Sequence, residues 1–156
     1  MQKIRPCLWF DGNAEQAVHF YLCVFKGKIT QTRLWGEAGP GPKGSVLGVD
    51  FELEGQAFQA LNGGPHYKFT PALSLFVDCA DQAEVDTYWN KLAEGGEMMA
   101  CGWVTDKFGV TWQIVPHGLD ELLFSQNSQQ AERAMETMMT MKKLDIETIK
   151  AACGFN

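Results

Sequence analysis

Each half of the chain shows the same order of hydrophobic patterns. A strand-like apolar run comes first, at 4–10 in one half and at 72–78 in the other. Apolar residues at helical spacing follow, and the helical stripes are Ala14, Ala17, Val18, Tyr21 and Phe25 in the first half and Val85, Tyr88, Trp89 and Leu92 in the second. Further runs of strand length come next, at 29–35, 46–53 and 56–61, and at 97–100, 102–105 and 110–115. Each half is therefore predicted to fold in the order β-α-β-β-β.

Short sequence matches support a repeat. The stretch 55–64 (GQAFQALNGG) aligns with 109–118 (GVTWQIVPHG), so that Gln59 meets Gln113, and 8–11 (LWFD) aligns with 75–78 (LFVD). The first copy carries an insertion, the Gly/Pro-rich stretch 35–44. A chain that repeats once at this scale is expected to hold two copies of one supersecondary unit. We predict a single domain over 1–156, with modules at 1–64 and 72–116 and a helical extension at 119–154.

Helix ends and one turn also carry local signals. Asn13 with Gln16, and Asp81 with Glu84, have the spacing of capping boxes. Glu54-Gly55 is expected to form a hairpin turn. The helix at 128–141 presents Ala131, Met135, Met138 and Met139 on one face, which is expected to pack on the parent sheet or across a dimer.

Composition narrows the functional class. The formal charge is −6 without a Lys/Arg cluster, which argues against a nucleic-acid partner. The longest apolar runs fall short of the ~18 residues of a membrane helix, so no membrane partner is expected. The five cysteines are widely spaced and form no CxxC, and no signal peptide precedes the first strand. A cytoplasmic protein is expected, with Cys101 an inert thiol.

The motifs LWFDGNAEQAVHFY, GEAGPGP, LNGGP and CGWVTDKFGVTWQIVP together resemble the vicinal oxygen chelate superfamily, which includes glyoxalases and bleomycin-resistance proteins. Within it they resemble the PhnB-like branch, often labelled 3-demethylubiquinone-9 3-methyltransferase. The resemblance spans residues 1 to 150. It implies an α+β fold in which two tandem βαβββ modules form a curved mixed sheet around a cavity, and it implies a homodimer. Methyl transfer is not expected, because the chain has no GxGxG loop for S-adenosylmethionine.

Metal-dependent members of the superfamily place His or Glu ligands on the first and last strand of each module. If these ligand positions are transferred to this chain by strand, the four positions fall near Pro6, Gln59, Ala72 and Gln113. Pro and Ala cannot ligate, and a Gln carbonyl is a poor ligand for Zn, Fe, Co or Ni. The histidines lie outside the predicted strands, at His19, His66 and His117. We therefore expect no metal and no cofactor.

The two equivalent glutamines are the central site prediction. Strand alternation points Gln59 and Gln113 away from the helices, where they either hold a polar ligand group or bond to each other in a closed core. The predicted ligand-binding set is Gln59, Gln113, Trp35, Trp103, Thr111 and Ser74. The loop 37–44 is expected near the mouth of the cavity, as a lid or as a plain surface loop. Trp9 and Trp112 are expected to pack against the helices.

The predicted function is that of a metal-independent small-molecule binding protein of the glyoxalase/bleomycin-resistance type. The ligand is expected in the concave face of the sheet. The alternative is a metal-assisted lyase, isomerase or dioxygenase of the vicinal oxygen chelate type, which would require ligands other than those identified above.

Overall fold

A computed structural model of the chain describes residues 2–154. Its contacts divide the chain into two compact units, Met1–Phe69 and Thr70–Asn156. The elements of the first unit are β1 (Cys7–Phe10), α1 (Ala14–Val24), β2 (Gly27–Leu34), β3 (Val46–Leu53) and β4 (Gln56–Asn62). Those of the second are β5 (Ser74–Cys79), α2 (Gln82–Ala93), β6 (Glu97–Met98), β7 (Trp103–Thr105) and β8 (Thr111–Pro116), followed by α3 (Leu119–Leu123), α4 (Ser128–Met139) and α5 (Ile146–Ala152).

The two units have the same sheet topology. Their strand orders are β1-β4-β3-β2 and β5-β8-β7-β6, two open four-stranded sheets. In each sheet the first and last strands of the module pair in parallel, and the remaining pairs are antiparallel. The predicted α+β class is confirmed, with two βαβββ modules and a helical C-terminal extension. No helix within residues 2–154 is long and apolar enough to cross a membrane.

In unit 1 the alternation of β3 determines which face is buried. Val49, Phe51 and Leu53 are buried, and they alternate with half-buried polar positions such as Asp50. The helix α1 packs on β3 and β4 and buries its own apolar stripe. The predicted hairpin turn forms at Glu54 and Gly55, whose φ values of 47° and 81° are left-handed. The alternation of β3 and the Glu54-Gly55 turn thus agree with the observed register of β3 with β4.

The predicted capping box of α1 does not form. Asn13 occupies the N-cap position, but its side chain makes no capping hydrogen bond. The cap comes instead from β4, because Asn62 Oδ1 accepts a hydrogen bond of 2.9 Å from Ala14 N. In unit 2 the predicted N-cap of α2 is confirmed, because Asp81 Oδ1 accepts a hydrogen bond of 2.9 Å from Glu84 N.

The helical extension has its own apolar cluster in unit 2. Val115 of β8 belongs to it, with Leu119, Leu122, Ala134, Leu144, Ile146, Ile149 and Cys153. The side chain of Gln82 fixes the extension to α2, because its Nε2 donates to Leu144 O and its Oε1 accepts from Ile146 N, at 2.8 and 3.0 Å.

The apolar face of α4 differs from the predicted one. Ala134 is fully buried in the cluster of the extension and Met138 packs against it. Met135 and Met139 are 37% and 64% exposed and do not belong to that cluster. Their predicted place in a dimer contact stays a prediction.

Candidate functional site

Four of the six predicted site residues come together on one face of the unit 2 sheet. Along β8, Trp112 and Ile114 are buried on the side on which α2 packs, so Gln113 points to the opposite side. The strand register places Gln113 between Phe76 of β5 and Trp103 of β7. Cross-strand neighbours in register share a face of the sheet. We call Phe76, Gln113 and Trp103 the aromatic row.

The amide of Gln113 is held in place by Ser74. Its Nε2 donates a hydrogen bond of 2.9 Å to Ser74 Oγ. Thr111 lies in register with Ser74, but it is only 1% exposed, and its Oγ1 is 3.0 Å from Thr105 Oγ1. Ser74 therefore orients the amide from one side, and Thr111 supports the strand from within the protein.

Phe76 is a candidate site residue of unit 2 that the sequence did not indicate. Its side chain is 56% exposed, which is unusual for phenylalanine inside a strand. Its position between Leu75 and Val77 gave a weak signal, since alternation puts it on the face opposite to theirs. The aromatic row can stack a planar molecule on its rings while the glutamine binds a polar group of that molecule.

A buried carboxylate fixes the turn that precedes β8. Asp106 is 3% exposed, and its Oδ1 accepts from Phe108 N at 2.8 Å and from Val110 N at 3.1 Å. Its Oδ2 accepts from Trp112 Nε1 at 2.8 Å. Trp112 is 3% exposed, which confirms its predicted place in the core. The same bonds align β8 with β7, the two strands that carry Gln113 and Trp103.

Gln59 lies in unit 1 in a different chemical setting. The register places it between Cys7 of β1 and Asp50 of β3. Arg33 of β2 donates from both terminal guanidinium nitrogens to the two carboxylate oxygens of Asp50, at 2.8 and 2.6 Å. Partial desolvation, and then the Asp50 carboxylate, raise the pKa of the Cys7 thiol. We call Cys7, Gln59, Asp50 and Arg33 the polar row. Asp50 and Arg33 were missed because no local pattern pairs them.

Trp9 corrects the predicted phase of β1. Its neighbours Leu8 and Phe10 are buried at 3% and 2% exposure, so they, and not Trp9, face the core. Trp9 is half-buried, donates from Nε1 to Gly64 O at 2.8 Å, and meets Tyr67 edge-on at 5.0 Å. The expected packing of Trp9 against a helix is wrong, because Cys7 rather than Pro6 pairs with Gln59, which shifts every β1 side chain by one.

Trp35 follows β2 and belongs to neither row. Its indole lies so close to Gly39 and Gly41 that a Cβ added there would be 2.1 and 2.3 Å from ring atoms. The backbone of Trp35 bonds to Ser45 O at 2.8 Å and to Gly44 N at 2.9 Å, which closes the loop on the ring. Trp35 lines an open cleft of about 620 Å³ in unit 1, together with residues of the β1–α1 turn and the end of β4.

The side chains at the predicted metal positions do not fit a divalent transition metal. Pro6 and Ala72 precede the strands, and the first-strand residues in register with Gln59 and Gln113 are Cys7 and Phe76. A thiol with a raised pKa, a phenyl ring and neutral amides are a poor donor set. His19, His66 and His117 are exposed, and within residues 2–154 no three His, Cys, Asp or Glu residues cluster to hold a metal.

Comparisons place these features among known proteins. The model of the family described as 3-demethylubiquinone-9 3-methyltransferase matches residues 2–115. The structure of a PhnB protein from Bacillus cereus is 37% identical, with TM-score 0.68, and the match covers 74% of this chain and 99% of that one. A protein from Pseudomonas aeruginosa is 24% identical, with TM-score 0.63, covering 74% and 98%.

The fosfomycin resistance protein FosX from Listeria monocytogenes, solved with Mn(II) and sulfate, is 15% identical, with TM-score 0.52, covering 72% and 90% of the two chains. At this identity the likeness shows the fold alone. No curated protein matches the chain. The family match ends at residue 115, short of the expected 150, so the helices α3, α4 and α5 lie beyond it.

Proposed function

Because the chain belongs to the family described as 3-demethylubiquinone-9 3-methyltransferase, the PhnB-like proteins of the vicinal oxygen chelate fold, we propose that it is a small-molecule binding protein of the glyoxalase/bleomycin-resistance type. We propose further that binding needs no metal. The description of the family does not by itself give this chain methyl transfer. The first strand enters its helix through Asp11-Gly12-Asn13, and the sheet is mixed, not parallel.

The observation that carries the proposal is the aromatic row of unit 2. A glutamine amide lies between an exposed phenylalanine and a half-buried tryptophan, and a serine fixes its orientation. Small-molecule sites commonly combine aromatic surface with a few fixed polar groups. Val115, two residues beyond Gln113, is buried in the cluster of the extension, so the helical extension borders the row at one end. The ligand that fits is a planar molecule with a neutral polar group.

The polar row of unit 1 is a separate candidate surface. Its Arg33 and Asp50 are paired to each other by two short bonds, so a ligand must compete with a formed ion pair. A ligand that stacks on the exposed rings of the aromatic row displaces no ion pair. We therefore assign the main binding energy to the aromatic row and leave Gln59 as a weaker contact on its own sheet.

The test is a ligand screen followed by one substitution. Planar aromatic amides and heterocycles are screened by thermal shift in EDTA, where a ligand at 100 times its Kd stabilises by about 2.7 kcal/mol. Gln113→Leu removes the amide, and we expect the Kd of a hit to rise about tenfold or more, since a lost partner costs about 1–3 kcal/mol. The free energy of unfolding should fall by about 1 kcal/mol or less, because the bond to Ser74 is only partly buried.

The matched control is Gln56→Leu, an exposed glutamine in a strand of the other unit. It should leave the Kd unchanged. Unchanged affinity in Gln113→Leu would refute the assignment of the site. Hits that bind only after a divalent metal replaces EDTA would refute metal independence and favour the metal-assisted alternative.

A further inference from the structure

We propose that the open cleft of unit 1 is a second binding site, for an organic cation that carries an ammonium, amidinium or guanidinium group on a flat body. The cleft is lined by the β1–α1 turn with the first turn of α1, by the loop after β2 up to the start of β3, and by the end of β4 with the two glycines that follow it. Its volume of about 620 Å³ is in the range of small-molecule sites. None of its residues belongs to the aromatic row.

The walls of the cleft are connected to one another by Asn62. Its Oδ1 accepts from Ala14 N at 2.9 Å, and its Nδ2 donates to Val46 O at 3.0 Å. One side chain thus joins the end of β4 to the start of α1 and to the start of β3. The loop after β2, which forms the remaining wall, is closed by backbone hydrogen bonds of Trp35 with Gly44 and Ser45. The cleft is therefore formed by cross-linked segments and not by a loose loop.

The charge of the lining selects a cation. The charged residues that line the cleft are Asp11 and Glu15, both acidic and exposed. The nearby Lys43 lies outside the lining, and its Nζ is 2.7 Å from Glu37 Oε1. The N-terminus of α1 favours an anion, but with only about half a positive charge. Two carboxylates outweigh it, and the Ala14 amide there already has a partner in Asn62.

Trp35 supplies the surface for the flat body of the ligand. The indole packs against Gly39 and Gly41 so closely that a Cβ at either position would meet ring atoms. The ring is half-buried and lines the cleft. A cation over a tryptophan face gains energy from the ring quadrupole in addition to the attraction of the carboxylates. The lining thus combines a flat aromatic surface with negative charge.

The experiment compares three probes of one shape: benzamidine, which is a cation, benzamide, which is neutral, and benzoate, which is an anion. Binding is followed by ¹H–¹⁵N NMR, with the indole resonance of Trp35 assigned from Trp35→Phe. We expect benzamidine to shift the signals of Trp35 and Asn62, and benzamide and benzoate to leave them unshifted. Raising the NaCl concentration should weaken binding, because the charges are exposed.

The decisive variant is Asp11→Asn with Glu15→Gln. It should weaken benzamidine about tenfold, from two exposed charge contacts worth about threefold each. Its control is Glu132→Gln with Glu136→Gln, which removes the same charge from exposed positions of α4.

Equal affinity of benzamidine for the two double variants would overturn the proposal. A preference for benzoate would overturn it too, since the helix N-terminus would then dominate the cleft. Shifts confined to Gln113, Phe76 and Trp103 would also overturn it. Those shifts would support the ligand site of unit 2, so the two proposals fail separately.

Discussion

Removing the buried carboxylate of Asp106 should destabilise the protein and disorder the strand that carries Gln113. Asp106→Ala leaves three donors without their acceptor: Phe108 N, Val110 N and Trp112 Nε1. Val110 and Trp112 are 2% and 3% exposed, so water cannot readily replace the carboxylate at those two.

The size of the effect follows from these two buried donors. Each costs about 1–3 kcal/mol when it is left unsatisfied. The variant no longer buries a charge, which offsets part of the loss. We therefore expect the free energy of unfolding to fall by about 2–5 kcal/mol. For a chain of this length that corresponds to a melting temperature lower by about 5–15 °C.

Asp106→Asn serves as the matched variant. Its amide oxygen can still accept from the two backbone donors, but its NH₂ group faces the indole N–H of Trp112. The cost should be about half that of Asp106→Ala. Trp112→Phe should then lower the free energy of unfolding less in the Asp106→Asn variant than in the wild type, because it removes the indole N–H that faces the NH₂ group of the asparagine.

The assay is urea unfolding of each variant, with near-UV circular dichroism as the probe of aromatic packing. A loss below about 1 kcal/mol for Asp106→Ala would refute the reasoning, since the buried donors would then have other partners. Equal losses for the Ala and Asn variants would refute the role assigned to the two backbone bonds.

Two further predictions concern ionisable groups. Asp50→Asn should speed the alkylation of Cys7 by iodoacetamide near neutral pH, because the carboxylate raises the pKa of that thiol, and Cys23 should react at an unchanged rate. Hydrogen bonds from Lys143 and then Gln82 lower the pKa of Asp86 from its ordinary value. Ionised Asp86 therefore stabilises the folded protein above the ordinary pKa, and this stabilisation is lost as the pH falls through the lowered pKa. Thermal melts at acid pH should therefore show a smaller loss of stability in Asp86→Asn than in the wild type.

Elements set by local signals were predictable from the sequence. The strand β3 has the predicted bounds, 46–53, and the Glu54-Gly55 turn leads into β4 as expected. Period-two alternation determines the buried face, and a two-residue turn fixes the register of the strands that it joins. The repeat extended this reasoning to unit 2, where a longer turn at 106–109 joins β7 to β8. Its strand order matches that of unit 1.

Features that depend on distant residues were not predictable. The cap of α1 comes from Asn62, 48 residues away from Ala14. The parallel pairing of β1 with β4 crosses a helix and two strands, so no turn fixes its register. A phase shift of one residue placed Trp9 on the wrong face. The lack of a signal for strand register also hid the pairing of Phe76 with Gln113 and of Asp50 with Gln59.

The repeat itself explains why one residue type serves two chemical settings. Gln59 and Gln113 hold equivalent positions, each on the last strand of its module with the first strand in parallel beside it. The neighbours in register differ, with a thiol and a carboxylate in unit 1 and two aromatic rings in unit 2. The repeated topology gives both glutamines the same backbone position, whereas recognition depends on the side chains around it. The amide is therefore the shared element, and under the proposed function its neighbours would determine which ligand each sheet could hold.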